Sequence, residues 1–150
     1  MTNWPIGLST GCFYHRNILE CLPLIRESGF SMIEVCSSPE HLDFRDLKSV
    51  HRAADGIKHL GMEAYSFHAP FAPDIDIASY DAAQRAKSVA EICKAAEAAA
   101  LLRVHYFVLH PGPENPPPYR GRASHAVVQL AATASKAARG AVASRRPLTR

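Results

Sequence analysis

Four short apolar runs, each followed by a stretch with helical spacing, constrain the fold of this chain more than any other feature. They read "PIGLST" (5–10), "SMIEVCSS" (31–38), "MEAYSFHA" (62–69) and "VHYFVLHP" (104–111). Runs of this length, rich in aliphatic and aromatic residues, have the pattern of buried strands. After the first run, Asn17 with Glu20 resembles a capping box, and Leu19, Leu22, Ile25 and Arg26 lead to Gly29 as a stop. Pro23 is expected to kink that helix or delay its start. After the second, Leu47, Val50, Ala54 and Ile57 make one apolar face, with Asp43 as N-cap and Gly61 as stop. After the third, Ser79 is the expected cap of an alanine-rich helix presenting Val89, Ile92, Cys93 and Ala96. Such alternation implies an α/β fold of parallel strands with helices packed outside them.

Two of the runs end alike. "AYSFHAPF" (64–71) and "HYFVLHPG" (105–112) each close an apolar run with a histidine, and a proline follows within two residues. A proline cannot donate to a sheet ladder, so it stops the strand and turns the chain into a loop. His68 and His110 are therefore expected at the carboxyl ends of adjacent parallel strands, the edge at which α/β folds build their sites. The other histidines, His15, His41, His51, His59, His105 and His125, are expected on the surface or on helices. His105, five positions before His110, is expected to face the opposite way by the period-two rule.

The choice among α/β folds turns on what is missing. Neither G-x-G-x-x-G nor G-x-x-x-x-G-K-[ST] occurs, which argues against a nucleotide-binding sheet. A closed (β/α)8 barrel takes about 250 residues and eight units, whereas 150 residues carry four units here. The pattern is that of parallel (β/α) units making a partial TIM barrel, about four of eight units. No apolar stretch approaches the roughly 20 residues that span a bilayer, and "MTNWPIGLST" lacks the basic-then-apolar order of a signal peptide. Cys12, Cys21, Cys36 and Cys93 form no C-x-x-C pair, as expected of reduced thiols in a cytoplasmic protein rather than of a disulfide scaffold or a cysteine-based zinc site.

The motifs also resemble a known superfamily. "IGLST", "GFSMIEV", "FHAPFAPDIDIAS" and "VLHPGPE", over residues 6–114, are similar to the xylose isomerase-like TIM-barrel superfamily. It holds sugar and sugar-phosphate isomerases and epimerases and the endonuclease IV type of apurinic-site nuclease. The resemblance implies metal-dependent aldose–ketose isomerisation or epimerisation in full-length relatives, with zinc, manganese or magnesium as the divalent metal and a small sugar or sugar phosphate as the partner. In the nuclease branch the histidines matching His68 and His110 are metal ligands. In the isomerase branch they line the substrate pocket, and Glu34 matches a glutamate with a supporting or pocket role.

The remainder departs from that pattern. Residues 1–118 read as the first half of such a barrel, and 119–150 as a basic tail rich in alanine and arginine, helical or disordered. Seven of the 17 basic residues, from Arg120 to Arg150, lie in that tail with no acid, leaving ten against 14 acids before it, a formal −4. Arg120 and Arg122 could meet a phosphate, but the charge pattern reads as a solvated tail, and an acidic body argues against nucleic acid as a partner. Asp74 and Asp76 read as turn and cap residues of a proline-bounded loop rather than catalysts, and Glu114 as a loop acid. The carboxylates that relatives draw from later strands have no counterpart, as in a truncated or frameshifted chain. The expectation is a catalytically silent fragment that self-associates through open sheet edges. Two alternatives stand beside it: an apurinic-site nuclease relative, and a non-catalytic remnant or partner-binding half-barrel.

Overall fold

The computed structural model describes residues 5–112. Four strands form one parallel sheet in chain order: β1 (Gly7–Ser9), β2 (Met32–Cys36), β3 (Glu63–His68) and β4 (Tyr106–Val108). Helices α1 (Ile18–Glu27), α2 (Leu47–His59) and α3 (Ala82–Leu101) connect them, and a 3-10 turn over Thr10–Phe13 follows β1. This is the α/β arrangement of a partial TIM barrel. The helices cover one face of the sheet. Ile33, Val35 and Phe67 are buried there against Ile18, Leu22 and Ile25 of α1, Val50, Ala53 and Ile57 of α2, and Ala95, Ala98 and Ala99 of α3. Burial of each large aliphatic or aromatic side chain contributes roughly 1.5–3 kcal/mol, so this layer holds the sheet and helices together.

The helix ends show where sequence patterns and structure part. Asn17 caps α1 by accepting a hydrogen bond from the Leu19 N–H, and the helix starts at Ile18 and runs through Pro23, so its start is not delayed. The cap of α2 is Asp46, not Asp43, whose carboxylate accepts the Arg45 N–H in the preceding turn. The cap of α3 is Asp81, not Ser79, and it accepts from both Ala83 and Gln84. In both cases the later of two competent residues is the one at which the chain turns into the helix. The buried face of α3 is Ser88, Ile92, Ala95, Ala98 and Ala99, while Cys93 and Ala96 are exposed. Leu19 and Leu47 are likewise exposed rather than buried.

All three helices end in the same way. The residue after the C-cap takes a left-handed conformation, Gly29 (φ 93), Gly61 (φ 62) and Arg103 (φ 59), and the next N–H reaches back to the carbonyls of Ile25, Ile57 and Ala99. Glycine takes that conformation at no steric cost, whereas an L side chain pays roughly 1–2 kcal/mol. Arg103→Gly is therefore expected to stabilise the protein, by about 0.5–1 kcal/mol once the greater freedom of glycine in the unfolded chain is subtracted. The midpoint of urea unfolding checks this; an unchanged or lower midpoint would refute it.

His41 is not a surface residue. It is 1% exposed, with its Nδ1 donating to the Arg16 carbonyl at 2.6 Å and its Nε2 without a hydrogen-bond partner among the described residues. The ring locks the segment after β1 to the one after β2. Burial holds its pKa below the usual 6.5, opposed by the carbonyls of Arg16 and Phe13. A base whose folded pKa is lowered takes up a proton more readily when unfolded, so its contribution is complete above pH 6.5 and is lost as pH falls below it. On acidification from pH 7.5 to 5 the protein is expected to lose stability relative to His41→Gln. Parallel pH profiles for the two would contradict this.

Among the described residues no helix is long and apolar enough to cross a membrane. The tail 119–150, the boundary at 118, Glu114, Arg120, Arg122 and His125 lie outside the described residues.

Candidate functional site

The face of the sheet turned away from the helices is polar. Register places Ser9 beside Glu34 and Glu34 beside Ser66, so one residue from each of three strands lies in a single row. The Ser9 hydroxyl donates to Glu34 Oε1 at 2.9 Å and the Ser66 hydroxyl to Oε2 at 3.2 Å. Among the described residues no cation forms an ion pair with Glu34. At the next position on the same face stand Cys36 and His68. Burial, with the Glu34 carboxylate adding to it, holds the Cys36 thiol above its usual range despite its hydrogen bond with Ser9. Cys36 therefore stays a protonated thiol and fills space between Ser9 and Gly11 rather than acting as a nucleophile. Beneath it, fully buried Thr10 accepts the Cys36 N–H at 2.9 Å, fixing the end of β2.

The paired histidines meet at this edge. His68 ends β3, the Ala69 N–H still bonds to the Val108 carbonyl, and Pro70 then stops the ladder. His110 follows β4 and is exposed. Its Nε2 lies 3.1 Å from Nε2 of His68, with ring centroids 5.0 Å apart. Nδ1 of His68 lies 2.9 Å from the Ala69 carbonyl, which only accepts, so this nitrogen carries the proton. In a neutral pair His68 Nε2 then accepts from the Nε2–H of His110. Phe71, 41% exposed, lies with its ring 4.3 Å from that of His110.

The loop carrying Phe71 is held by a second small core of Ala69, Ile75, Ile77 and Ile92, with Phe107 packed against it. Asp76 caps a turn by accepting the Ala78 N–H, and its own N–H bonds to Ser88. Asp74 forms an exposed ion pair with Lys87. Asp76 thus serves its turn, as the sequence implied, whereas the Asp74 carboxylate pairs with a lysine of α3 instead. His105 precedes β4 and bonds to Glu63 at 2.7 Å, away from the pair. His15, His51 and His59 are exposed.

The comparisons with known proteins bear on this arrangement. A family model of xylose isomerase-like TIM barrels matches residues 22–143. The chain belongs to the xylose isomerase-like TIM barrel family. The match begins beyond "IGLST" and extends past residue 114, where the motifs that carry the resemblance in sequence end. Solved structures with the same fold include a D-psicose 3-epimerase crystallised in the presence of D-fructose, with a TM-score of 0.71 and 16% identity over 89% of this chain and 48% of that one. A D-tagatose 3-epimerase-like protein gives 0.67 and 23% over 89% and 47%. The 3-keto-D-glucoside 4-epimerase YcjR from E. coli gives 0.61 and 21% over 89% and 54%. At these identities the likeness is one of fold. The xylose isomerase-like chain spans about half the length of these structures. No protein of curated function matches its sequence.

Of the residues singled out in the sequence, the structure brings His68 and His110 into contact and puts Glu34 on the same face. Ser9, Ser66 and Phe71 were not anticipated. The only hint was two serines interrupting otherwise apolar runs, at "GLS" and "AYSF".

Proposed function

We propose that the described residues form the substrate-binding wall of a sugar isomerase or epimerase site, with Glu34 and His110 receiving sugar hydroxyls and His68, whose ring nitrogens are engaged by Ala69 and His110, holding His110 in place. The observation that carries this reading is the meeting of the two histidines on the polar face, one step along β3 from the row that holds Glu34. Membership of the xylose isomerase-like TIM barrel family and a fold shared with several epimerases support it. Glu34, hydrogen-bonded through both oxygens, keeps further lone pairs for hydroxyl donors. His110, donating through Nε2, has a lone pair left on Nδ1 for another. Phe71 supplies an apolar surface against which the carbon-bound hydrogens of a sugar pack.

The resemblance implies a divalent metal at this edge. His68 and His110 are the residues that would hold such an ion, since neutral imidazole is a common metal ligand and their Nε2 atoms lie 3.1 Å apart. Yet no group of three or more metal-binding side chains occurs among the described residues. Two donors do not complete a site. Zinc, manganese or magnesium held by His68 and His110 alone would be bound weakly. A sugar phosphate or a nucleic acid would need cationic partners, and among the described residues none pairs with Glu34.

Calorimetric titration with D-fructose tests the reading. Binding is expected, and His68→Ala and His110→Ala are each expected to weaken it about tenfold or more, in proportion to hydrogen bonds lost at a shared acceptor and donor. Circular dichroism establishes that both variants remain folded. Tight binding of an abasic-site duplex with no binding of ketohexoses would instead favour the nuclease reading.

A further inference from the structure

The pairing of β2 with β3 is interrupted at one point. Ile33 lies beside Ala64 and Glu34 beside Ser66, so Tyr65 is an extra residue with no partner in register. Side chains alternate along a strand, and one inserted residue exchanges the faces of everything beyond it. Ala64 belongs to the helix-covered core, yet so does Phe67, three residues later. An unbroken register would set Tyr65 opposite Glu34 and turn Ser66 and His68 into the core. The extra residue instead brings Ser66 opposite Glu34 and His68 opposite Cys36, on the polar face.

We infer that Ser9 and Ser66 are positioning residues that aim the Glu34 carboxylate at the substrate, and that the bulge at Tyr65 exists to complete this clamp. The inference rests on the proposed sugar-binding role of Glu34 and deepens it. Each serine holds one oxygen of the carboxylate, from a strand on either side. Ser9 is itself fixed, because its oxygen also accepts the Gly11 N–H and caps the turn after β1. A carboxylate held at both oxygens presents its remaining lone pairs in one direction, away from the serines. An unheld glutamate side chain samples several rotamers and must be ordered by the ligand, at a cost in affinity.

Two measurements on the whole 150-residue chain separate this inference from the reading beneath it. The first needs no ligand: side-chain carbon relaxation of Glu34 by NMR. Ser9→Ala and Ser66→Ala are each expected to lower its order, and Ser66→Thr, which keeps the hydroxyl, to restore it. The second is a double-mutant cycle read by D-fructose titration. Each serine variant is expected to weaken binding about 3- to 10-fold in the parent, the worth of one hydrogen bond, and to have no further effect when Glu34 is already alanine. Unchanged Glu34 order in both alanine variants overturns the inference. So do equal losses of affinity on the Glu34→Ala background, which would mean the serines act on the fold or on the sugar directly. Loss of Glu34 order in the variants, with D-fructose binding indifferent to Glu34→Gln, would leave the clamp standing as a structural fact and sink the sugar-binding reading instead.

Discussion

Phe67→Ala is expected to cost about 3–5 kcal/mol, a large share of the roughly 5–15 kcal/mol by which a domain of this size is stable. Phe67 is fully buried next to the carboxyl end of β3, and its ring stacks parallel to that of Phe107 with centroids 5.9 Å apart. It is the largest side chain among those with almost no exposure, and it touches both the main core and the neighbouring strand. Removing the ring leaves a cavity that short, paired strands on either side cannot close. It also lies between Ser66 and His68 in sequence, so movement of the backbone there disturbs the polar face as well. Urea unfolding followed by circular dichroism reads the loss, and D-fructose binding should vanish together with the fold. Phe67→Leu, nearer in volume, should cost far less. A variant Phe67→Ala within about 0.5 kcal/mol of the parent would show that the centre of the sheet is not packed as described.

The second large effect is on catalysis. The 150-residue polypeptide is expected to bind ketohexoses while turning them over no faster than background. Isomerisation or epimerisation moves a proton off a carbon beside a carbonyl and returns it, and a missing general base alone costs a factor of about 100 to 10,000. Among the described residues, register puts two carboxylates on the polar face: Glu34, with both oxygens bonded to serines, and Glu63, paired with His105 at the end of β3 far from His68. Asp43, Asp46, Asp76 and Asp81 accept backbone N–H groups at turns and caps, and Asp74 pairs with Lys87. No acidic residue follows Glu114 in the sequence. Deuterium uptake from solvent into D-fructose, followed by proton NMR, is the direct assay. Uptake above background that His110→Ala abolishes would mean that an imidazole of this pair serves as the base, and that the site is more complete than its carboxylates indicate.

The strands and the histidine pair were legible because each rests on a local signal. An apolar run of six to eight residues has few other uses, and a proline after a histidine marks where a strand must stop. Other features depended on choices that a local pattern leaves open. Ser79 and Asp81, like Asp43 and Asp46, can both cap a helix, and the packing of the preceding loop decides between them. In α3, alanines lie on every side, so the phase of the buried face carried little contrast and was read one position off at Cys93 and Ala96. Burial of His41 follows from a carbonyl 25 residues away, which no window reveals. The row of Ser9, Glu34 and Ser66 required the register of three strands and the extra residue at Tyr65. Alternation alone would have sent Ser66 inward.

The order of the sheet bears on how the molecule is made. Each strand lies beside the one that follows it in sequence, and every helix between them ends in its own stop signal. Leu8 meets Ile33 across 25 residues of chain, Val35 meets Phe67 across 32, and Phe67 meets Phe107 across 40. No pairing has to wait for a strand synthesised later than its immediate successor. During translation each new strand can therefore dock on an edge that already exists, before the next has left the ribosome. The histidine pair forms last in that sequence, because His110 emerges only after the row that holds Glu34 has been assembled beneath it.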